Sequence, residues 1–255
     1  MCILLLAHRP RPDLSLVLAA NRDEFYDRPS APSAWWEGPH AILAGRDLRQ
    51  GGTWLGITRE GRLAALTNIR EPSRHDPAAP SRGHLVRGFL ESSRNAVSFL
   101  QDLDGSPYNG FNLVVFDGER LAAFSNRAAG VRVLEPGLHG FSNGVLDAPW
   151  PKVRRGLAAL GRALEREGEN LEEALLSILA DRAPAPDEEL PRTGIGVEVE
   201  RALSPLFTQT EVYGTRASTV VILRADGWVS WVERPYDPQG RPGHDVRFSF
   251  RREES

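Results

Sequence analysis

The sequence predicts an α+β fold in which two antiparallel β-sheets stack face to face and helices cover their outer faces. A chain of 255 residues that is 41% hydrophobic can bury a large core. Strand-like runs occur in groups joined by short turns, and helical runs stand between these groups. Such groups argue against a doubly wound sheet, in which single strands and helices alternate. We predict one domain over residues 1–255.

Two apolar strands open the chain, and a polar block follows the second. Residues 2–7 and 14–20 are continuously apolar, which predicts strands that are buried on both faces. Residues 21–24 (NRDE) follow the second strand directly, with no turn residue between them. Residues 26–40 are rich in proline and tryptophan, and we predict a loop there.

Helices and further hairpins make up the rest of the chain. Leu85, Phe89 and Leu90 recur at helical spacing after Ser81, which is a suitable N-cap residue. The proline-rich, acidic stretch 183–194 predicts a surface loop, because strand character resumes after it. The other predicted helices cover 95–103, 149–167 and 171–179, and the other predicted strands cover 53–58, 63–69, 111–116, 121–125, 131–134, 138–141, 216–223, 228–234 and 246–250.

Charge and cysteine content argue against several classes of protein. The chain has 31 basic and 34 acidic residues, so no basic surface for nucleic acid is predicted. The apolar run at the N-terminus is only about six residues long, too short for a signal peptide or a membrane span. A single cysteine excludes an intramolecular disulfide. We therefore expect a cytoplasmic protein without a membrane span.

Cys2 is the only cysteine of the chain and lies directly after the initiator methionine. A small side chain at this position favours removal of the methionine, which would leave a thiol and a free α-amine on one residue. The amine has a reference pKa of ~7.7–8.0 and can accept the thiol proton near neutral pH. Nucleophile and base then form one unit, as in the pairing of threonine with an N-terminal amine. The alternative is a small buried apolar side chain.

Other motifs for catalysis or metal binding lack the context that they need. The stretch 140–144 (GFSNG) matches a nucleophile elbow, but prolines interrupt the chain before the next helix, and His244 is the only later histidine. The six histidines are scattered, and one cysteine cannot form a thiolate cluster, so no metal site is predicted. Glycine-rich phosphate-binding motifs are absent from the sequence.

The polar block at 21–24 offers candidate partners for Cys2. On a strand, Arg22 and Glu24 share one face while Asn21 and Asp23 share the other. An arginine at a buried strand end, close to the strand that begins at Cys2, could lower the pKa of the thiol. The alternative is a solvated strand end with a local ion pair of little energetic value.

Further polar side chains lie at the ends of other predicted strands. Asn68 and Asn143 each end a strand, where a side-chain amide suits the binding of an oxyanion. Asparagine is also a common turn residue at such places. Arg216 opens a late strand, either as an anchor for a carboxylate or as a charge at a strand edge. Trp35, Trp36 and Trp54 are candidates to line an apolar acyl pocket, although aromatic residues more often pack in cores or hairpins.

Together these motifs resemble the NRDE family, whose eukaryotic relatives are the transport-and-Golgi-organisation proteins of the second class. The resemblance spans nearly the whole chain. It implies the four-layer αββα sandwich of the N-terminal nucleophile (Ntn) hydrolases, which agrees with the two predicted sheets. The motifs that carry it are Met1-Cys2, Asn21-Arg22-Asp23-Glu24, Arg28-Pro29, Gly45-Arg46-Asp47, Gly51-Gly52-Thr53-Trp54-Leu55-Gly56, Thr67-Asn68, Ser81-Arg82-Gly83, Asn112, Ser142-Asn143 and Tyr213-Gly214-Thr215-Arg216.

Within that superfamily, the chain is similar to the choloylglycine hydrolase and penicillin V acylase group. That group has an N-terminal cysteine, an arginine at the end of the second strand, oxyanion asparagines after strands, and a late strand-borne arginine. One departure is that those acylases carry an aspartate a few residues beyond the arginine, whereas here Asp23 follows Arg22 immediately. The implied catalytic residues are Cys2, Arg22, Asp23, Asn68, Asn143 and Arg216, and we predict Asn21, Glu24 and Trp54 as substrate-binding residues.

The leading functional prediction is a cysteine hydrolase that cleaves a linear amide, other than a peptide bond, or another acyl bond of a small molecule. Such an enzyme requires no cofactor. The alternative is a non-enzymatic carrier of haem, acyl-CoA or lipid, in which the Cys2 thiolate could ligate haem iron. The resemblance supports this alternative too, since family relatives have been linked to haem trafficking and to acyl-CoA or lipid metabolism. A third reading is a degenerate Ntn fold that serves as an interaction scaffold.

Overall fold

Two antiparallel sheets form the centre of the protein. The computed structural model describes residues 2–38, 40–146, 148–166, 168 and 170–253, and of Cys2 only the main chain. The strands are β1 (Cys2–Arg11), β2 (Leu14–Phe25), β3 (Ser30–Trp35), β4 (Ile42–Asp47), β5 (Leu55–Thr58), β6 (Leu63–Asn68), β7 (Phe111–Phe116), β8 (Leu121–Ser125), β9 (Val131–Val133), β10 (Gly137–Phe141), β11 (Tyr213–Arg224), β12 (Trp228–Pro235) and β13 (Val246–Arg251). The α-helices are α1 (Gly83–Leu90), α2 (Ala96–Gln101), α3 (Pro151–Glu165), α4 (Leu171–Leu179) and α5 (Val197–Ala202).

The strand order brings the two ends of the chain into one sheet. In the described part of the chain, this first sheet runs in the order β10, β1, β2, β11, β12, β13. The second sheet runs from β3 to β9 in chain order, as a continuous meander. Each pairing between these strands is antiparallel. The N-terminal hairpin therefore lies directly beside a late strand, β11.

Three apolar clusters define four layers. Between the sheets, Leu6 and Leu18 of the first sheet pack with Leu63 and Val114 of the second. Alternate residues of the same strands point outwards, and the outer face of the first sheet packs on α3 and α4. The outer face of the second sheet packs on α1 and α2. This order of helix, sheet, sheet and helix confirms the predicted αββα sandwich.

Parts of the predicted secondary structure are wrong. Residues 26–40 contain an edge strand, β3, within the region predicted as a loop. Proline is compatible with this strand because a register shift between Ala31 and Ala34 leaves Pro32 outside the regular pairing. Ser81 is not the N-cap of α1, since that position is held by Arg82, whose side chain makes no capping hydrogen bond. The sequence prediction also lacked β4 and α5.

The predicted end of one helix falls on a residue that the structure does not describe. The predicted helix 149–167 begins at Pro151, a favourable first helical residue, and ends at Glu165. The predicted end at Glu167 lies outside the described residues.

Among the helices that the structure does describe, none has the length and apolar character needed to cross a bilayer.

A buried histidine lies between the sheets at the end of β1. The Nδ1–H of His8 donates to the main-chain oxygen of Leu134 at 2.8 Å, and its ring meets Phe116 edge-on at 6.1 Å between centroids. Because a carbonyl oxygen only accepts, Nδ1 carries the proton of the neutral ring. The other nitrogen, Nε2, is buried without a partner among the described residues. Burial lowers the pKa of His8, because a second proton would create an unpaired buried charge.

We expect this histidine to make stability depend on pH. Below about pH 6.5 the unfolded chain binds a proton at His8 that the folded chain does not bind, so the free energy of unfolding should decrease there. His8→Phe should remove this part of the dependence. Urea unfolding of both proteins at about pH 7.5 and about pH 5.5 measures it. The same loss on acidification in both proteins would contradict the assignment.

Candidate active site

The candidate site lies at the end of the first sheet where β1 begins. In the register of the sheet, Cys2 pairs with Arg22 of β2, and Arg22 pairs with Ala217 of β11 on its other side. The polar block is therefore part of a central strand, between β1 and β11. Met1 and the side chain of Cys2 lie outside what the structure describes, so the role of the thiol stays a prediction.

Arg22 is held on the face of the sheet that meets the second sheet. Its guanidinium carbon lies 4.2 Å from the ring centroid of Trp54, which comes from the segment before β5. The Trp54 ring packs so closely on β4 that a Cβ on Gly45 would lie 2.5 Å from it. A buried arginine stacked on an aromatic face is favourable because the ring quadrupole attracts the cation. The stack thus fixes a positive charge next to the register position of Cys2.

Asp23 lies on the opposite face of β2, as the alternation of the strand requires. The hydroxyl of Thr215 donates to its carboxylate at 2.8 Å, and the hydroxyl of Tyr213 donates to its main-chain oxygen at 2.9 Å. Burial raises the pKa of Asp23, and the positive charges of Lys152 and Arg70 oppose that rise. A carboxyl group in this setting is a candidate for proton transfer or for binding an amine.

The sequence reasoning missed three buried charged side chains: Lys152 and Arg70, which act on Asp23, and Glu200, which pairs with Arg70. Lys152, in the first turn of α3, donates from Nζ to the main-chain oxygen of Leu203 at 3.3 Å. Arg70 and Glu200 form an ion pair in which the side chains are only 5% and 4% exposed. A lysine beside the buried helix residue Val153 was the available signal. Arg70 and Glu200 are far apart in sequence and gave no such signal.

The two predicted oxyanion asparagines come together at this end of the sandwich. The side-chain amide of Asn143 donates to the main-chain oxygen of Asn68 at 2.9 Å, and the main-chain oxygen of Asn143 accepts from the main-chain N–H of Arg70 at 2.8 Å. These bonds join the segment after β10 to the end of β6. Asn112 supports the same segment through its amide, which donates to Ser142 and Gly144 carbonyl oxygens at 3.3 and 2.8 Å. The oxyanion role itself stays a prediction.

Arg216 lies in a bulge between β11 and β2, where the pairing shifts by one residue. Its Nη1 donates to the main-chain oxygens of Phe25, Tyr26 and Arg28 at 3.0, 3.2 and 3.3 Å. In the structure it therefore holds the turn that follows β2, and the contacts of this nitrogen are to carbonyls. Glu24 lies near the same turn, 3.7 Å from the Arg28 guanidinium.

Asn21 is placed away from Arg22, on the face that meets the helices. Its amide donates to the main-chain oxygens of Leu179 and Leu206, both at 2.9 Å. Its Oδ1 accepts from the Ser218 hydroxyl at 2.6 Å. These bonds fix the end of α4 on the first sheet, so the structure does not place Asn21 beside the other predicted substrate-binding residues.

The three candidate pocket tryptophans do not share one surface. Trp54 and Trp35 pack against the cluster between the sheets, and Trp35 meets Phe250 at 5.1 Å between centroids. Trp36 packs against the outer cluster of the second sheet, and its indole N–H donates to Ala44. The prediction that all three line one pocket is wrong, because a one-residue step along the chain moves a side chain to the other face.

Metal binding has no support in the described part of the chain. There, the structure holds no group of three or more histidine, aspartate, glutamate or cysteine residues that could bind a metal ion. The described residues bring together a cation at the Cys2 register position, a buried carboxyl group on the other face of β2, and two side-chain amides near the end of β6.

Comparison with known proteins shows the same family across nearly the whole chain. The model of the family described as Transport and Golgi organisation 2 matches residues 1–238. The Transport and Golgi organization protein 2 homologs of Bos taurus and Homo sapiens are 38% and 36% identical to this chain, each over 92% of the chain and 92% of the relative. The Transport and Golgi organization protein 2 of Drosophila melanogaster is 28% identical over 94% of the chain and 95% of its own length.

Solved structures with the same fold are hydrolases by name. A Caenorhabditis elegans N-acylethanolamine-hydrolyzing acid amidase ortholog matches with a TM-score of 0.51 and 12% identity, over 87% of this chain and 92% of that one. The conjugated bile acid hydrolase from Clostridium perfringens, solved as a mutant with alanine in place of cysteine at position 2, matches with a TM-score of 0.54 and 9% identity, over 99% and 98%. At these identities the likeness shows the fold, which is that of the Ntn hydrolases.

Proposed function

The chain belongs to the Transport and Golgi organisation 2 family, and on that premise we propose that it is an N-terminal-cysteine hydrolase acting on an amide or other acyl bond of a small molecule. The observation that carries the proposal is the register of the first hairpin, which pairs Cys2 with Arg22. Arg22 is buried and stacked on Trp54, so its charge is fixed and poorly screened by solvent. A fixed cation next to a thiol favours the thiolate.

In the proposed reaction, Met1 is removed and the α-amine of Cys2 takes the thiol proton. The thiolate attacks the carbonyl carbon of the substrate, and the tetrahedral intermediate expels the amine, which receives the proton from the α-ammonium group. Water then attacks the thioester, releases the acid and restores the thiol. The amine of Cys2 acts as base in each half of the cycle.

Asn68 and Asn143 are the proposed donors to the oxyanion. Asn68 ends β6 and Asn143 follows β10. In the acylases that the sequence resembles, the oxyanion asparagines also come after strands. Asn143 uses one amide hydrogen on the Asn68 carbonyl, which leaves the second for a substrate. One well-placed donor lowers the barrier by about 3–4 kcal/mol.

Asp23 is proposed to bind the α-ammonium group that forms during the reaction. Its carboxyl group is buried on the strand next to the one that Cys2 begins, and Thr215 fixes its orientation. Lys152 and Arg70 favour its ionised form, which is the form that binds a cation. The names of the two solved hydrolases make N-acylethanolamines and conjugated bile acids the first substrates to test.

Acyl transfer to Cys2 can be tested by mass spectrometry. The purified protein is incubated with an N-acylethanolamine and with an acyl p-nitroanilide, quenched in acid, and digested. We expect a mass increase of one acyl group on the peptide that contains Cys2, and release of the amine. If no donor labels the protein or turns over, while the Cys2→Ala variant still binds haem or acyl-CoA, the hydrolase proposal fails in favour of a carrier.

A further inference from the structure

A second buried carboxyl group faces the interior on the same sheet as Arg22. Glu233 of β12 is 2% exposed. Trp231, two residues before Glu233, belongs to the cluster between the sheets, and the adjacent Val232 belongs to the cluster beneath the helices. By the alternation of the strand, Glu233 faces the second sheet, which is the face that Arg22 also occupies.

A register shift in β3 of the second sheet brings Ser33 into contact with this carboxylate. The main-chain N–H and the hydroxyl of Ser33 donate to the two oxygens of Glu233, each at 2.8 Å. Ser33 is free to do so because the β3–β4 pairing shifts between Ala31 and Ala34. Since an N–H only donates, the contact suits an oxygen that accepts. Burial nevertheless raises the pKa of Glu233, so two neutral donors do not replace its lost hydration.

Arg22 and Glu233 lie on the same face of the first sheet, on either side of β11. Arg22 pairs with Ala217 of β11, and Glu233 pairs with Thr219 of the same strand, two residues further along the same face. Two strand spacings across the sheet and two residues along it separate Arg22 from Glu233, which is roughly 12 Å between their main chains. Burial raises the pKa of Glu233, and the positive charge of Arg22 opposes that rise and so favours the carboxylate.

We propose that Glu233 is the counter-charge of Arg22, a positioning residue that limits how strongly the guanidinium stabilises the Cys2 thiolate. A glutamine at position 233 could keep the hydrogen bonds to Ser33 without burying a charge. These bonds between the two sheets therefore do not by themselves explain why the residue is an acid. The inference rests on the proposed function only in placing Arg22 beside Cys2. It needs neither removal of Met1 nor turnover.

The single cysteine makes alkylation a specific reporter of this site. The rate of reaction with iodoacetamide is measured against pH for the wild type and for Glu233→Gln, and the midpoint of each curve gives the pKa of the thiol. Removing the negative charge should lower this pKa by about half a unit, which is roughly threefold more thiolate well below the midpoint. If Glu233 only joins the sheets, the midpoint will not move, and the proposal is overturned.

A double-mutant cycle tests whether Glu233 acts through Arg22. Arg22→Gln alone should raise the midpoint, and Glu233→Gln should have little further effect in that background. An equal shift in both backgrounds would show direct action and overturn the proposal. Ser33→Ala is the matched structural control, because it removes the hydroxyl bond to Glu233 but keeps the negative charge of Glu233. It should lower the midpoint of thermal unfolding and leave the midpoint of the alkylation curve near that of the wild type.

The outcome is separable from that of the acyl-transfer experiment. Circular dichroism first establishes that each variant is folded, and Glu233→Met supplies a second neutral side chain of similar length if Glu233→Gln is not. Acyl labelling without a shift in Glu233→Gln would remove the inference and keep the hydrolase. A shift without acyl labelling would keep the inference and remove the hydrolase.

Discussion

Replacement of Cys2 by serine should prevent detectable acyl-enzyme formation and lower kcat/KM by at least about 10³-fold. Serine keeps the N-terminal amine and remains small enough for removal of Met1. What changes is the acidity of the nucleophile, since a hydroxyl holds its proton far more strongly than a thiol. The fixed charge of Arg22 cannot compensate for that difference, because it favours an anion that serine does not form near neutral pH.

The readout is steady-state hydrolysis of the donor that labels the wild type, with intact mass to establish processing of each variant. Cys2→Ala serves as the second variant, and both should unfold within a few degrees of the wild type, since each substitution replaces or removes a single heavy atom. A serine variant that retained activity within about tenfold of the wild type would exclude the thiol as nucleophile.

Removal of Glu200 should destabilise the protein by about 3–5 kcal/mol. Glu200→Ala leaves the Arg70 guanidinium buried without its carboxylate, and it also removes the acceptor of the Thr193 N–H and hydroxyl bonds at 2.9 and 2.6 Å. Uncompensated buried charge is costly because the low-dielectric interior cannot replace hydration. Urea unfolding measures the loss.

The matched control is an ion pair of the same chemistry at the surface. Arg87 of α1 and Glu91, the C-cap residue of that helix, lie 2.7 Å apart, with side chains 45% and 35% exposed. Glu91→Ala should cost no more than about 0.5 kcal/mol. Equal effects of the two substitutions would mean that Arg70 finds another partner or solvent, and that the pair does not support the site.

Activity should fall with Glu200→Ala as well, although Glu200 touches no predicted catalytic side chain. The main-chain N–H of Arg70 donates to the main-chain oxygen of Asn143, and the side-chain amide of Asn143 donates to the main-chain oxygen of Asn68. We expect the main chain of Arg70 to shift when its side chain leaves the buried position, and this shift would move Asn143, a proposed oxyanion donor. Loss of a positioned donor, and not only of folded protein, should appear as a lower kcat at temperatures where the variant is fully folded.

The local sequence pattern was sufficient to predict the fold class and the proximity of Arg22 to Cys2. Continuous apolar runs joined by a short turn define the N-terminal hairpin, and a short turn restricts the register that such a hairpin can adopt. That restriction is why Arg22 could be expected near Cys2, with Asp23 on the other face. The structure pairs Cys2 with Arg22 and places Asp23 as the alternation requires.

Contacts between distant segments could not be obtained in this way. Three buried charged residues come from distant elements, namely Lys152 from α3, Glu200 from α5 and Glu233 from β12. The sequence around each of them does not show which partner its side chain will contact. The function of Asn21 is a similar case, since its partners Leu179 and Leu206 belong to the helical layer. A single sequence shows that such polar groups are near core residues, but not which layer satisfies them.

The intact mass of the purified protein tests the central claim most directly. The proposed mechanism uses the α-amine of Cys2 as its base, and that amine is free only when Met1 has been removed. We predict a mass lower by one methionine residue than the translated chain, in the same preparation that forms the acyl adduct. A fully active protein that retains Met1 would contradict an N-terminal nucleophile.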